Sequence, residues 1–167
     1  NFSINLKNHH GGIVGYKAKP HTDLIDLGKI DYYRIEDFWE KVTTKSHKIV
    51  LDPGAFYILS SREYVCVPPQ FAAEMAPYYS MVGEFRVHYA GFFDPGFGYS
   101  SNGAHNSRAV LEVRCHETPF VLEHGQTVGQ LIFERMIEEP DLLYGKDLKS
   151  NYQGQGLKLS KHFKDSI

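Results

Sequence analysis

The stretch "AGFFDPGFGYSSNGAHNSRAVLEVRCHETPF", residues 90–120, decides the fold. Its two ends are rich in Val, Leu and Phe and read as strands. Between them lies a polar, glycine-containing insert, "YSSNGAHNS" (99–107). In "RAVLEVRC" a period of two places Ala109, Leu111, Val113 and Cys115 on one face, and Val110, Glu112 and Arg114 on the other. That is the pattern of a strand with one face on a core. "DPGFG" (94–98) forms a turn, because Pro presets φ and Gly accepts a positive φ. Composition and spacing alone make Glu112 a solvent-facing residue beside Arg108 or Arg114. A desolvated carboxylate with a raised pKa, acting as general acid and base, is the alternative, and spacing does not show burial.

Outward from this stretch the chain is mainly β. "FSINL", "HKIVL", "AFYILSS", "YVCVP", "EFRVHYAGFF", "PFVLEHG" and "GQLIFERMI" are short, rich in Val, Ile, Phe and Tyr, and bounded by turn residues such as "DPGAF". Two segments predict short helices. "RIEDFWEKV" (34–42) has Ile35, Phe38, Trp39 and Val42 at helical spacing, and "PPQFAAEMAP" (68–77) opens on proline. "GGIVGYKAK" (11–19) reads as a turn. The tail "YGKDLKSNYQGQGLKLSKHFKDSI" is polar, glycine-punctuated and basic, and reads as an extended arm outside the core. Many short strands with few helices predict a sandwich or barrel of jelly-roll type. The expected division is a β domain over 1–140 and an arm over 141–167.

With 167 residues the chain holds one domain with a real core. A net charge of −2 offers no global basic field, so neither DNA nor RNA is an expected partner. Apolar runs fall short of a membrane span, and no signal peptide opens the chain, so no membrane partner is expected and the default compartment is the cytoplasm. Cys66 and Cys115, too few and too far apart for a disulfide framework, fit a reducing environment. The chain starts at Asn1 in a strand-like pattern, which suggests a piece of something longer.

The nine histidines invite a metal reading that the spacing does not support. No Cys-x-x-Cys occurs, "CHE" (115–117) is not the His-x-Glu of zinc deaminases, and His9 with His10 is at best a weak surface pair. His88 reads as a strand residue. No Gly-x-Ser-x-Gly elbow and no Walker loop is present.

The order "AGFFDPGFG…AVLEVRCHETPFVLEHGQTVGQLIFERM" followed by "LYGKDLKSNYQGQG" resembles the dCTP deaminase family of the dUTPase-like superfamily. The resemblance covers roughly residues 83–156, about half the chain, and its ordered motifs are far more specific than any one of them. The upstream segments "VGYKAKPHTDLIDL" and "LDPGAFYILSSREYVCVPPQFAAEM" fit a fused form with two dUTPase-like repeats, this chain being the C-terminal one. The resemblance implies a dUTPase-like β-barrel of the β-clip type with one or two short helices and a C-terminal arm. It implies zinc-independent deamination of dCTP to dUTP and ammonia, feeding dUMP and dTTP synthesis. Glu112 would be the general acid and base. Val110 and Leu111 would line the base pocket, with Ala90 and Phe92 offering backbone or packing to the pyrimidine. Asp94 would contact the deoxyribose. Gln130, Tyr144, Asn151 and Gln155 would fold over the triphosphate, with Mg2+ on the phosphates. The implied assembly is a homo-oligomer, trimeric or pseudo-hexameric with a second repeat.

The sequence also departs from the family pattern. An Arg-Ser-Ser-x-x-Arg segment belongs near 76–81, where this chain reads "APYYSM". The lysine that precedes Tyr-Gln in the tail is Asn151, with Lys149 nearby; an arginine common in the turn is Phe92; and the 99–107 insert is long. A neighbouring repeat or subunit supplying the Ser/Arg half would reconcile these losses. Two other readings stay open: a dUTP diphosphatase or bifunctional deaminase-diphosphatase, and a non-catalytic repeat that binds nucleotide or builds the oligomer. Against the diphosphatase alone, its hairpin reads Asp-x-Asp-Tyr-Arg-Gly where this turn reads "DPGFGY". Whether Glu112 is buried at a subunit interface facing a pocket, or exposed to solvent, is the discriminating observation.

Overall fold

The computed structural model describes residues 1–7, 12–77, 85–87, 91–100, 107–145, 150 and 152–164. Its backbone is antiparallel β with one short helix, arranged as three sheets. In the largest, β5 (Phe56–Tyr64) is central. It pairs on one side with β2 (Ile13–Ala18), which in turn pairs with β3 (Trp39–Thr43). On its other side lies β9 (Arg108–Cys115), followed by β7 (Phe85–Val87). A four-stranded sheet runs β1 (Phe2–Ser3), β11 (Thr127–Arg135), β6 (Phe71–Ala76) and β8 (Phe92–Phe93). The third is a pair, β4 (Lys48–Leu51) with β10 (Phe120–Glu123), closed at one end by the Lys48–Glu123 ion pair at 2.5 Å.

Alternation explains the packing. On β9, Ala109, Leu111, Val113 and Cys115 are at most 1% exposed and enter the main core with Leu59, Val14, Leu51, Leu122 and Val67. The face assignment read from "RAVLEVRC" is therefore the observed one. The central strand β5 is covered on both sides: Tyr57 and Leu59 go to the main core, whereas Ile58 joins a second cluster with Tyr16, Ile35, Phe38, Leu159 and Phe163. Sheets with both faces covered need apolar residues at consecutive positions, and "FYIL" supplies them.

Four expectations about individual strands and helices need correction. "PPQFAAEMAP" holds no helix among the described residues. After a turn in which Phe71 N–H donates to the Pro68 carbonyl (3.0 Å), residues 71–76 form β6, pairing six residues with β11. Ala-rich helix propensity is a weak prior, and a full antiparallel ladder overrides it. In "RIEDFWEKV" only α1 (Ile35–Phe38) is helical; it lacks a side-chain cap, and Trp39 turns extended to enter β3. "GGIVGYKAK" is mostly strand, not turn: in β2, Val14 faces the main core and Tyr16 the second cluster. Finally, "EFRVHYAGFF" is two strands in two sheets, β7 and β8, because the chain crosses between layers there.

"YVCVP" keeps its alternation without joining a ladder beyond Tyr64. Val65 and Val67 are buried, and their N–H groups bond the carbonyls of Ser107 (2.9 Å) and Phe97 (2.8 Å). The tail also differs from a free arm. Leu159 and Phe163 are each 6% exposed, and Phe163 packs its ring edge-on to Phe38 and Trp39 (centroids 5.6 and 6.0 Å). Its polarity masks two well-spaced apolar anchors. His9, His10 and His88 lie outside the described residues. No helix among those described is long and apolar enough to cross a membrane.

Candidate active site

Glu112 projects from the face of β9 opposite the main core. Its register partner is Ile58 on β5, which in turn pairs with Tyr16 on β2. The carboxylate therefore stands at the border of the second apolar cluster. It opens into a cleft of about 340 Å³ lined by Trp39, Phe56, Ile58, Phe92, Asp94 and Val110 among others. The remaining wall comes from the turn after β8 (Phe93, Phe97), from Tyr144, and from tail residues Tyr152, Lys158, Leu159 and Ser160. Within the single chain Glu112 is solvent-accessible, so it both faces a pocket and remains reachable by water.

The wall carrying Asp94 is built by the "DPGFG" turn. Phe97 N–H donates to the Asp94 carbonyl (3.0 Å), and Gly96 N–H reaches the Val67 carbonyl (3.0 Å). Phe97 is 5% exposed and stacks edge-on with Phe93 at 5.0 Å; Tyr144 leans on it at 5.5 Å. Gly98 takes φ +64, and its N–H donates to the Gln153 Oε1 (2.9 Å). The tail is thereby tied to the turn. Two further bonds hold it: Gly154 N–H to Ser107 Oγ (2.8 Å), and Arg108 N–H to the Gln155 carbonyl (2.9 Å). Ser107, the last residue of the polar insert, is fully buried and accepts that tail bond.

Among the described residues two cations belong to the lining. The Arg108 guanidinium donates through Nη1 to the carbonyls of Ser61 (3.0 Å) and Arg62, and sits 4.2 Å above the Tyr64 ring. Those partners lie towards the start of β9, away from Glu112. Lys158 is the other. Arg114, on the Glu112 face, stacks over Phe56 at 4.9 Å. The indole Nε1–H of Trp39 is buried without an acceptor among the described residues.

Phe92, Asp94, Val110, Glu112 and Tyr144 thus meet in one cleft. Leu111 is fully buried on the opposite face, so it can meet a ligand in this cleft only through its backbone. Gln130 sits on β11, paired with Ala76, outside the lining; the Gln155 carbonyl is committed to Arg108. Ala90, Asn151 and most of "APYYSM" lie outside the described residues. Trp39, Phe56, Ile58, Arg108, Tyr152 and Lys158 were not anticipated. Phe56 and Ile58 share a face by alternation, but only the β5–β9 register puts that face beside Glu112.

The cysteines offer no activated nucleophile. Burial pushes the Cys66 thiol up, and Cys115 Sγ–H is buried against the Leu51 carbonyl at 3.3 Å. Among the described residues no three His, Cys, Asp or Glu side chains cluster as a metal-binding group.

Comparison with known proteins identifies the family. The family model for the 2'-deoxycytidine 5'-triphosphate deaminase (DCD) C-terminal domain matches residues 1–163. A solved 2'-deoxycytidine 5'-triphosphate deaminase from Agrobacterium tumefaciens superposes with a TM-score of 0.77 at 54% identity, covering 84% of this chain and 42% of that one. A dUMP-forming dCTP deaminase of Methanosphaera stadtmanae is 30% identical over 155 residues, 88% of this chain and 72% of the relative. One from Pseudarthrobacter chlorophenolicus is 34% identical over 110 residues, 64% of this chain and 53% of the relative. The chain therefore spans less than half of the solved structure and between about half and 72% of these two curated relatives. The fold is that of dCTP deaminase, dUTPase-like, and the chain belongs to the dCTP deaminase family as its C-terminal domain.

Proposed function

We propose that this domain carries the proton-transfer half of a site that deaminates dCTP to dUTP and ammonia without zinc. The observation that supports it best is that Glu112 opens into the same cleft as Asp94, Val110, Phe92 and Tyr144. Glu112 takes a proton from water as the oxygen adds to C4 of cytosine, and passes it to N3. The C4–N bond then breaks, and ammonia leaves with a second proton relayed by the same carboxyl. A positioned acid and base of this kind contributes on the order of 10²–10⁴-fold.

The apolar wall formed by Val110, Ile58 and Phe92 suits a flat pyrimidine. Asp94 holds the deoxyribose, with Ala90 and the Leu111 backbone at the base. Tyr144, Asn151 and the Gln155 side chain close on the triphosphate, and Mg2+ arrives on the phosphates as part of the substrate. The Ser/Arg half of the site comes from a neighbouring repeat or subunit in a trimeric or pseudo-hexameric assembly. The buried Trp39 indole in the lining, without an acceptor among the described residues, is consistent with a site that another chain or the ligand completes.

In the intact protein, Glu112→Gln should lower deamination of dCTP by at least 100-fold on this estimate while dCTP still binds. Deamination at the unaltered rate would return Glu112 to the role of a surface glutamate and this domain to a non-catalytic repeat. A second reading is bifunctional: curated relatives are called dUMP-forming, and that chemistry would also release pyrophosphate. Assaying ammonia and pyrophosphate from dCTP and from dUTP separates the two.

A further inference from the structure

We infer that the loop between β2 and α1, residues 20–32, is a docking surface for the rest of a longer polypeptide, the part of the solved relative that this domain does not match. The loop holds large apolar side chains out in water. Leu24 is 93% exposed, Leu27 75%, Ile30 61% and Tyr32 54%. A single exposed leucine needs no explanation, but a concentration of apolar residues within one loop marks a contact site. The loop is also built to keep them there. Asp26 N–H donates to Tyr33 Oη (2.7 Å), and Gly28 N–H to Asp26 Oδ1 (2.9 Å). At the far end the N–H groups of Asp31 and Tyr32 bond the Lys161 and His162 carbonyls (2.9 and 3.1 Å), and Tyr33 packs against the second cluster. His21 and Asp31 take positive φ, +57 and +50, so a strained backbone is held at both ends of the loop. Charge selects the occupant. Asp23 and Asp31 make no ion pair among the described residues, and the Lys29 ammonium sits 4.4 Å from the centre of the Tyr32 ring. A two-fold contact with a second copy, centred here, would set this acidic loop against itself. The surface that fits is apolar and edged with lysine or arginine. This domain matches 42% of the solved relative's chain at 54% identity, so more than half of that chain is present to supply such a surface.

Hydrogen–deuterium exchange of the intact protein tests this. The N–H groups of Leu24, Ile25, Leu27 and Ile30 make no hydrogen bond among the described residues, so only a covering surface would slow them. They should exchange about 30-fold or more below the open-chain rate, the scale of one strong contact residue, and dilution should not change that. Leu24→Asp combined with Leu27→Asp should remove the protection. Leu142→Asp, at an exposed leucine outside the loop, should not. Light scattering should give the double variant the mass of the native assembly. Open-chain exchange in the native protein overturns the inference, as does an equal loss of protection in Leu142→Asp. Protection lost on dilution, or a smaller assembly in the double variant, places the contact between copies and overturns it too.

Discussion

Gly98 and Gly54 form a controlled pair for the turn that carries Asp94. Both hold a positive φ, +64 and +72; Gly54 closes the Asp-Pro-Gly of residues 52–54, and Gly98 is the last residue of "DPGFG" (94–98). They differ in their surroundings. A Cβ on Gly54 meets nothing within 4 Å, whereas one on Gly98 would lie 1.9 Å from the Val65 carbonyl oxygen. Gly54→Ala should therefore cost only the left-handed backbone, about 1 kcal/mol. Gly98→Ala carries that cost and a clash with main chain, which cannot rotate away as a side chain would. Relief to an ordinary 3.4 Å contact needs about 1.5 Å of movement, comparable to overpacking a core at roughly 1–3 kcal/mol. The sum is about 3 kcal/mol, a large share of the roughly 5–15 kcal/mol that stabilises a domain.

At about 2–4 °C per kcal/mol for a chain of this length, Gly54→Ala should lower Tm by ~2–4 °C and Gly98→Ala by ~6–12 °C. Moving Val65 also pulls on its bond to Ser107 and on the Gly98 link to Gln153, so the tail should loosen from the cleft. Thermal unfolding followed by circular dichroism reads the first effect, and KM for dCTP in the intact protein the second. Equal melting temperatures for the two variants would refute the claim that close approach of Val65 is what demands glycine at 98.

The tail supplies a second prediction. Phe163→Ala should cost about 3 kcal/mol, the lower end for a buried aromatic, and lower Tm by ~6–12 °C; an arm lying outside the core would give no shift. The third concerns pH. Burial first, then the Lys7 and Arg62 charges, hold His124 below its ordinary 6.5, and its Nδ1 accepts the Leu6 N–H at 3.1 Å. Because the folded value is depressed, its stabilising effect is complete above about 6.5 and is lost as pH falls through the lower folded value. Denaturation midpoints measured from pH 7.5 to 5 should fall more steeply in the native protein than in His124→Asn. Parallel profiles would remove His124 from the account.

Local information reached some of this molecule. Alternation in "RAVLEVRC" assigned the two faces of β9 correctly, since side-chain direction along a strand depends on nothing beyond neighbouring residues. The turn "DPGFG" was equally legible, because proline and glycine restrict their own backbone. The strand at "FAAEMA" was not: its helix-favouring composition is overridden by β11, more than fifty residues away. "EFRVHYAGFF" hid a crossover between sheets for the same reason.

The candidate site divides along that line. The sequence by itself determined that Glu112 would leave the core face of its strand, and its ordered motifs pointed to a nucleotide. Only the tertiary structure decided what stands around it. The cleft draws Trp39 from β3, Phe56 and Ile58 from β5, Asp94 from a turn and Lys158 from the tail. Pairing register and tail docking are long-range events, set by which faces bury together, and no period within one segment records them.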